Sequence, residues 1–407
     1  MTRKTLLWMI PVIALGGLLF FKYDSIRWRM AQLRGWVLDT AHPTGDTLPT
    51  PALDAAARVA AASPASVNPA FDSALPTATP FPKPTVSPTP LPLVTPPPAV
   101  TLTGAKWEKQ DINNCGPATL AMYLSFYGWP GTQKDVAAVL HPNERDKNVR
   151  WDELVYYVNT HAGWLSALFR VGGTVDEMKA FIANGVPVVI ETGYQVDAGW
   201  VGHYLLLTGY DDARGIFIVQ DATGGPDRKV PYAQIDKQWQ EFNRLYILVY
   251  RPEKAEAITA LLGPNADEAA NRRRALATAE AESQSQPDNP YAWFNFGSNL
   301  NYFDRYAEAA TAFDKARDLG LPKRMLFYQF GPYRAYFNVG RYQDVIDLST
   351  FTLDYRPDLE ESYFWRGWAE YMLGDRNGAV TDFRNALDVN PTFNDAKTAL
   401  GSIGATP

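Results

Sequence analysis

The single cysteine of the chain, Cys115, comes directly before Gly116 and Pro117. Proline is tolerated in the first turn of a helix, and residues 118–124 are mostly helix formers or apolar residues. The pattern therefore predicts that Cys115 lies at or just before a helix N-terminus. Unpaired amides and the helix dipole favour an anion there, which enriches the nucleophilic thiolate form of a thiol. An inert buried cysteine is the alternative, since free cysteine is among the most buried residue types.

His203 and Asp221 form a second pair with catalytic side chains, and they bracket two apolar runs at residues 203–210 and 215–221. If these runs form a hairpin closed by residues 211–214, paired positions sum to about 425, so Asp221 is beside His203. A carboxylate at that position could hold the imidazole in one tautomer and stabilise the imidazolium. A structural histidine in a strand is the alternative, but the matched register favours catalysis.

Gln110 lies five residues before Cys115, where its amide could face the same pocket. A side-chain amide donor, together with the backbone N–H of Cys115, could stabilise the oxyanion of a tetrahedral intermediate. The alternative is a surface glutamine in a loop.

Several other classes of function lack their chemistry in this sequence. A net charge of −6 gives no electrostatic footprint for nucleic acid. His42, His141 and His161 show no metal-ligand spacing, and the sequence contains no HExxH motif, glycine-rich phosphate loop or GxSxG motif. One cysteine excludes an intrachain disulfide. We expect neither a metal nor a cofactor.

Residues 107–250 resemble the bacteriocin-processing, double-glycine-leader group of papain-like cysteine peptidases, in the stand-alone form that lacks a transporter. The resemblance is carried by Gln110 before the motif 115–118, by Gly-His-Tyr at 202–204, by Gly-Tyr-Asp at 209–211 and by Asp221. The Gly-x-Pro-Val segment at 185–188 is similar as well. It implies an α+β papain-like fold and peptide-bond cleavage, classically after small residues. Cys115 would be the nucleophile, His203 its base and Asp221 the orienting acid, with Gln110 at the oxyanion.

The first hundred residues carry no pattern of a packed domain. Residues 6–21 form an uncharged apolar run after two basic residues, which predicts a signal-anchor, with a cleaved signal peptide as the alternative. More positive residues follow the run than precede it, which argues against export of the rest. Ten of the 23 residues at 76–98 are proline, which is typical of an extended stalk. We give the stalk more weight than the charge asymmetry. The expectation is therefore a membrane-anchored protein with extracytoplasmic domains.

The segment after residue 252 shows self-similarity at 34 residues, with Gly340 and Gly374 one period apart and likewise Pro357 and Pro391. Three units resemble tetratricopeptide (TPR) repeats, and the middle one has Tyr333 where glycine is usual and Thr352 where alanine is usual. The expected division is an anchor at 1–35, a stalk at 36–100, a peptidase domain at 101–251, a linker at 252–264 and TPR repeats at 265–407.

The function expected from these features is that of a cysteine peptidase whose TPR repeats recruit a protein or peptide partner. Two alternatives stay open at this point. The peptidase-like fold could be a binding module in a scaffold without catalysis, or the thiol could transfer its acyl group to an acceptor other than water.

Overall fold

The computed structural model describes residues 46–52, 95–142, 148–196 and 199–407. The expected anchor at 6–21 lies outside these residues, as does most of the expected stalk. Within the described residues, no helix combines the length and apolar character that crossing a bilayer requires.

The first half of the structure is an α+β unit whose helices precede and flank a sheet. Its elements are β1 (Ala99–Thr101), α1 (Cys115–Phe126), α2 (Gln133–Leu140), α3 (Trp151–His161), β2 (Ser166–Arg170), α4 (Val175–Ala183), β3 (Val188–Val196), β4 (Gly199–Asp211), β5 (Ile216–Asp221), β6 (Gly225–Pro231), α5 (Tyr232–Gln240) and β7 (Tyr246–Tyr250).

The sheet has seven strands in the order β2-β7-β3-β4-β5-β6, with β1 paired to the far end of β4, and all pairs are antiparallel. Successive side chains of a strand point to opposite faces. Along β4, Tyr204 and Leu206 pack in the core beneath α1, whereas Leu205 and Leu207 pack in a second core with α4 and α5. The sheet is therefore covered on both faces.

The predicted hairpin between β4 and β5 forms, but its register differs slightly from the expected sum of 425. Leu206 pairs with Gln220 and Gly209 pairs with Ile218, so the sum is 426 and then 427, with a bulge between Leu207 and Gly209. A bulge inserts an unpaired residue and cannot be read from the alternation of apolar residues. His203 and Asp221 are consequently diagonal neighbours across the hairpin.

The expected linker at 252–264 is helical. It contains a 3-10 turn (Pro252–Lys254), α6 (Ala255–Leu262) and a second 3-10 turn (Gly263–Asn265). Ile258 and Leu262 of α6 are buried in the core that includes α4 and β7. The segment therefore extends the α+β unit by an apolar helix face.

The second half is a helical array, a name used here for the helices from residue 268 onward. They are α7 (Glu268–Ser285), α8 (Pro290–Tyr302), α9 (Tyr306–Asp318), a 3-10 turn (Met325–Phe327), α10 (Gly331–Asn338), α11 (Tyr342–Tyr355), α12 (Glu360–Met372), α13 (Arg376–Val389) and α14 (Asn394–Ser402).

The repeat residues explain how the helices pair. A Cβ atom at Gly297 would lie 2.9 Å from the ring of Phe313, and one at Gly367 would lie 2.9 Å from Phe383, so glycine permits close helix contact in the first and third units. In the middle unit Tyr333 donates a hydrogen bond to Thr352 at 3.1 Å. The two departures from the TPR pattern are thus partners of each other.

The helical array packs closely against the α+β unit. The ring of Tyr328 lies 5.7 Å from Trp200 and 5.9 Å from Phe242, edge to face in both cases. Polar contacts join the same surfaces, including a bond of 3.1 Å from Asn148 to the Phe327 carbonyl and an ion pair of 3.4 Å between Arg150 and Glu361.

Both described ends of the expected stalk are bound to this body. At one end, the Tyr210 hydroxyl donates to the Pro97 carbonyl at 2.7 Å, and β1 pairs with β4. At the other end, the Leu48 amide donates to the Leu321 carbonyl of the array at 2.8 Å. Residues 46–52 and 95–101 are therefore parts of the folded body.

Asn271 of α7 provides a test of the contact between the two halves. Its side chain is buried, donates to the Val171 carbonyl at 2.8 Å and accepts from the Val171 amide at 3.2 Å. Asn271→Ala would leave both backbone groups unpaired, so we expect a loss of about 1–3 kcal/mol in the free energy of unfolding, measured by urea denaturation.

Arg273→Ala is the matched control on the same helix, because the Arg273 side chain is 63% exposed. If both variants unfold within about 0.5 kcal/mol of each other, the paired bonds do not couple the two halves.

Candidate active site

Cys115 is the first residue of α1, in agreement with the position predicted for it. The loop before it is fixed by Gln133 of α2, whose side-chain oxygen accepts from Asn114 Nδ2 and from the Asp111 amide, each at 2.7 Å. The amide nitrogen of Gln133 donates to Glu108 at 2.9 Å and to the Lys109 carbonyl at 2.7 Å. Gln133 thus holds the loop 108–114 through several hydrogen bonds, and these bonds fix the direction in which the chain enters α1.

His203 lies on β4 opposite Thr192, which donates to the His203 carbonyl at 3.1 Å. Its imidazole is buried, and Nε2 is 2.9 Å from Asp221 Oδ1. The Cys115 sulfur lies near the same ring, close enough to raise the pKa of the imidazole. Since Nε2 faces the carboxylate, Nδ1 is the nitrogen left for the sulfur.

The protonation of His203 is set by opposing effects. Burial disfavours the charged ring, but the hydrogen bond to Asp221 and the nearby Cys115 sulfur outweigh this effect and raise the pKa of His203 from 6.5 to about 9. The geometry therefore favours an imidazolium at neutral pH.

Asp221 ends β5 and is almost fully buried. Its Oδ1 also accepts from the amides of Thr223 and Gly224, each at 2.8 Å, and its Oδ2 pairs with Arg228. Burial alone would raise the pKa of Asp221, but the bonds from His203 and the two amides hold it well below its usual range. The carboxylate is thus ionised and fixed in orientation.

Gln110 lies next to this cluster, because its amide donates to the Ala222 carbonyl at 3.0 Å. Its side-chain Oε1 is buried and has no hydrogen-bond partner among the described residues. The structure thus brings all four predicted residues to one region, and the oxyanion role of Gln110 stays a prediction. Two other histidines lie elsewhere: His141 follows α2, and His161 ends α3 with its ring stacked on Tyr157.

Glu191 is a further buried carboxyl group near the thiol, beyond the four predicted residues. It pairs with Tyr204 across β3 and β4, and the Tyr204 hydroxyl itself donates to the Val149 carbonyl at 3.1 Å. Burial and the proximity of Cys115 raise the pKa of Glu191 well above its ordinary value. The sequence signal that could have indicated this group is a glutamate within the apolar run of β3.

Tyr328 of the helical array also reaches this region, which no local sequence signal could indicate. Its ring packs against Gly202, the residue before His203. A Cβ atom at Gly202 would lie 2.7 Å from the Phe242 ring and 3.0 Å from the Tyr328 ring, so glycine allows this approach. The array therefore supports the strand segment that carries the histidine.

In the described part of the chain, no three His, Cys, Asp or Glu side chains are grouped as metal ligands would be. The arrangement of thiol, imidazole and carboxylate is suited to nucleophilic attack on a carbonyl group by the sulfur.

Part of the α+β unit is similar to a known protein family. Residues 102–247 match the model of the Peptidase_C39 like family. Among curated proteins, none matches the chain.

Several solved structures are similar to part of this chain. A C39-like peptidase from Bacillus anthracis is 19% identical over 38% of this chain and 98% of its own, with a TM-score of 0.31. MamA from Desulfovibrio magneticus RS-1 is 16% identical over 37% of this chain and 82% of its own, with a TM-score of 0.30. YrrB, a TPR protein with a peptide-binding site, is 15% identical over 37% of this chain and 89% of its own, with a TM-score of 0.19. The family similarity thus covers residues 102–247 of the α+β unit.

Proposed function

We propose that this protein is a cysteine peptidase that hydrolyses peptide bonds with Cys115, His203 and Asp221. The observation that carries the proposal is the position of His203, whose ring bonds Asp221 through Nε2 and lies within reach of the Cys115 thiol. The match of residues 102–247 to a C39-like family supports the same chemistry.

In the proposed reaction, the proton of the Cys115 thiol already resides on His203, and the sulfur attacks the scissile carbonyl carbon as a thiolate. The carbonyl electrons move to oxygen, which Gln110 and the Cys115 amide would stabilise. Collapse of this intermediate expels the amine, which takes its proton from the imidazolium. Water then attacks the thioester with His203 as base, which releases the acid and restores the sulfur.

Asp221 acts in this scheme by orienting the ring. Its two backbone donors and Arg228 fix the carboxylate before substrate arrives, so little reorganisation is needed when charge develops on the imidazole. Glu191 has a raised pKa, and its neutral form places no second negative charge beside the thiolate.

The setting of the enzyme is part of the proposal. The helical array would recruit a protein or peptide partner, and an anchor at 6–21 would hold the body at a membrane on its extracytoplasmic side. Peptides with small residues before the cut, such as Gly-Gly, are the first substrates to test. Turnover without an added amine separates hydrolysis from acyl transfer, because a hydrolase releases the acid with water alone, whereas a transferase needs the acceptor.

The first prediction concerns the thiol. A peptide acyloxymethyl ketone ending in Gly-Gly should form one covalent adduct, seen by intact mass spectrometry, because Cys115 is the single cysteine in the sequence. His203→Ala should slow adduct formation by roughly 10²-fold or more, since the base is lost. Cys115→Ala is the control and should give no adduct. A rate equal to that of free cysteine, unchanged by His203→Ala, would favour the scaffold alternative.

The second prediction concerns the carboxylate. Asp221→Asn should lower kcat by roughly 10²–10⁴-fold with little effect on KM, because it disturbs the tautomer and the imidazolium more than the packing. Asp176→Asn is the control, since the Asp176 side chain is 93% exposed. Undiminished turnover in Asp221→Asn would leave a Cys–His dyad as the catalytic unit.

The third prediction concerns pH. The folded-state pKa of His203, about 9, lies above its ordinary value of 6.5, so the bound proton stabilises the fold. This stabilisation, roughly 3 kcal/mol by linkage, is complete below about pH 6.5 and is lost as pH rises through about 9. The free energy of unfolding, measured from pH 6 to 10, should show this decline.

His203→Gln should remove that decline while leaving other pH effects in place. Labelled histidine gives an independent readout, because the chain has four histidines and one resonance should titrate near pH 9. Four resonances that all titrate near the ordinary value would contradict the proposed imidazolium.

A further inference from the structure

Residues 46–52 lie against the helical array and contact it as an extended peptide would. Thr47 forms an antiparallel bridge with Pro322, the Leu48 amide donates to the Leu321 carbonyl at 2.8 Å, and the Lys323 amide donates to the Asp46 carbonyl at 3.0 Å. These bonds use main-chain atoms on both sides. We call residues 46–52 the docked segment.

Side chains of the array complete the contact. Leu48 is 2% exposed and packs into the hydrophobic core of the array. Arg317 of α9, with a side chain only 4% exposed, donates from Nε to the Pro49 carbonyl at 2.9 Å and from Nη1 to the Tyr336 hydroxyl at 3.1 Å. The charge of Arg317 is also balanced by Asp314 at 3.9 Å. Without the Pro49 carbonyl, the Nε donor would lose its hydrogen-bond partner, which costs free energy if it stays buried.

The sequence of the docked segment suits this role. Pro49 and Pro51 disfavour helical backbone at the residues before them, Leu48 and Thr50, so the free segment is already biased toward an extended conformation. A peptide ordered in advance loses less entropy on binding. Main-chain bonds combined with an apolar anchor are the features of strand-type peptide recognition.

We propose that the surface formed by Arg317, Leu321, Pro322 and Lys323 is a binding site for extended Leu-Pro peptides, which the docked segment occupies in cis. The site is separate from the proposed thiol chemistry, so neither proposal depends on the other. Covalent linkage gives the docked segment an effective concentration on the order of mM. A partner peptide of the same chemistry therefore binds by displacing the docked segment.

The test is a binding competition in the full chain. A fluorescein-labelled peptide with the sequence of residues 45–52 is titrated with wild-type protein and with Leu48→Asp, and its anisotropy is measured. Leu48→Asp places a charge in the apolar pocket and should release the docked segment. We expect the variant to bind the labelled peptide at least 10-fold more tightly than the wild type does, because its site is vacated.

The matched control is the same peptide with its leucine replaced by aspartate, which should not bind either protein. Equal binding of the two peptides, or equal binding by the two proteins, would overturn the proposal.

Hydrogen exchange tests the same contact without an added ligand. In the wild type the amides of Leu48 and Lys323 should exchange slowly, and in Leu48→Asp both should exchange faster. Exchange of the wild-type Leu48 amide at the rate of an unfolded peptide would overturn the docking itself. A concentration-dependent wild-type dimer that Leu48→Asp abolishes would overturn the cis assignment, because the segment would then occupy a second copy.

Discussion

The strand β4 is the constraint on which the rest of the structure depends. It is 13 residues long and pairs with β3, β5 and β1, so its register fixes three neighbours at once. Its side chains alternate between two cores, and its first residues meet the helical array through Trp200 and Gly202. His203 lies between these contacts. The position of the imidazole is therefore set by packing on every side, and a small shift of β4 would move it away from both Cys115 and Asp221.

Much of this site could be predicted from short-range patterns. The position of Cys115 followed from the proline two residues later, and the neighbourhood of His203 and Asp221 followed from counting through a hairpin. Those inferences used only residues near one another in sequence. Gln133 and Tyr328 could not be found in this way, because each acts on the site across a contact between distant elements.

The departures from expectation have local physical causes. The register of the hairpin shifts because bulges insert residues that an alternating pattern does not reveal. In the array, Tyr333 and Thr352 each break a repeat pattern that favours small residues, yet together they form a buried hydrogen bond. Each departure from the repeat pattern argues against a TPR unit when it is considered alone, because the compensating contact is visible only in the structure.

The docking of residues 46–52 changes how force would travel through this chain. The chain is fixed to the folded body at 46–52 and again at 97–101, where Tyr210 and β4 hold it. A pull arriving from before residue 45 would act on the docked segment, and the proline-rich stretch would lie outside the path of the load. Release of that segment would add up to roughly 160 Å of fully extended chain between the body and whatever holds its N-terminal side. Release of the docked segment would then both free the peptide site and lengthen the connection to the N-terminal side.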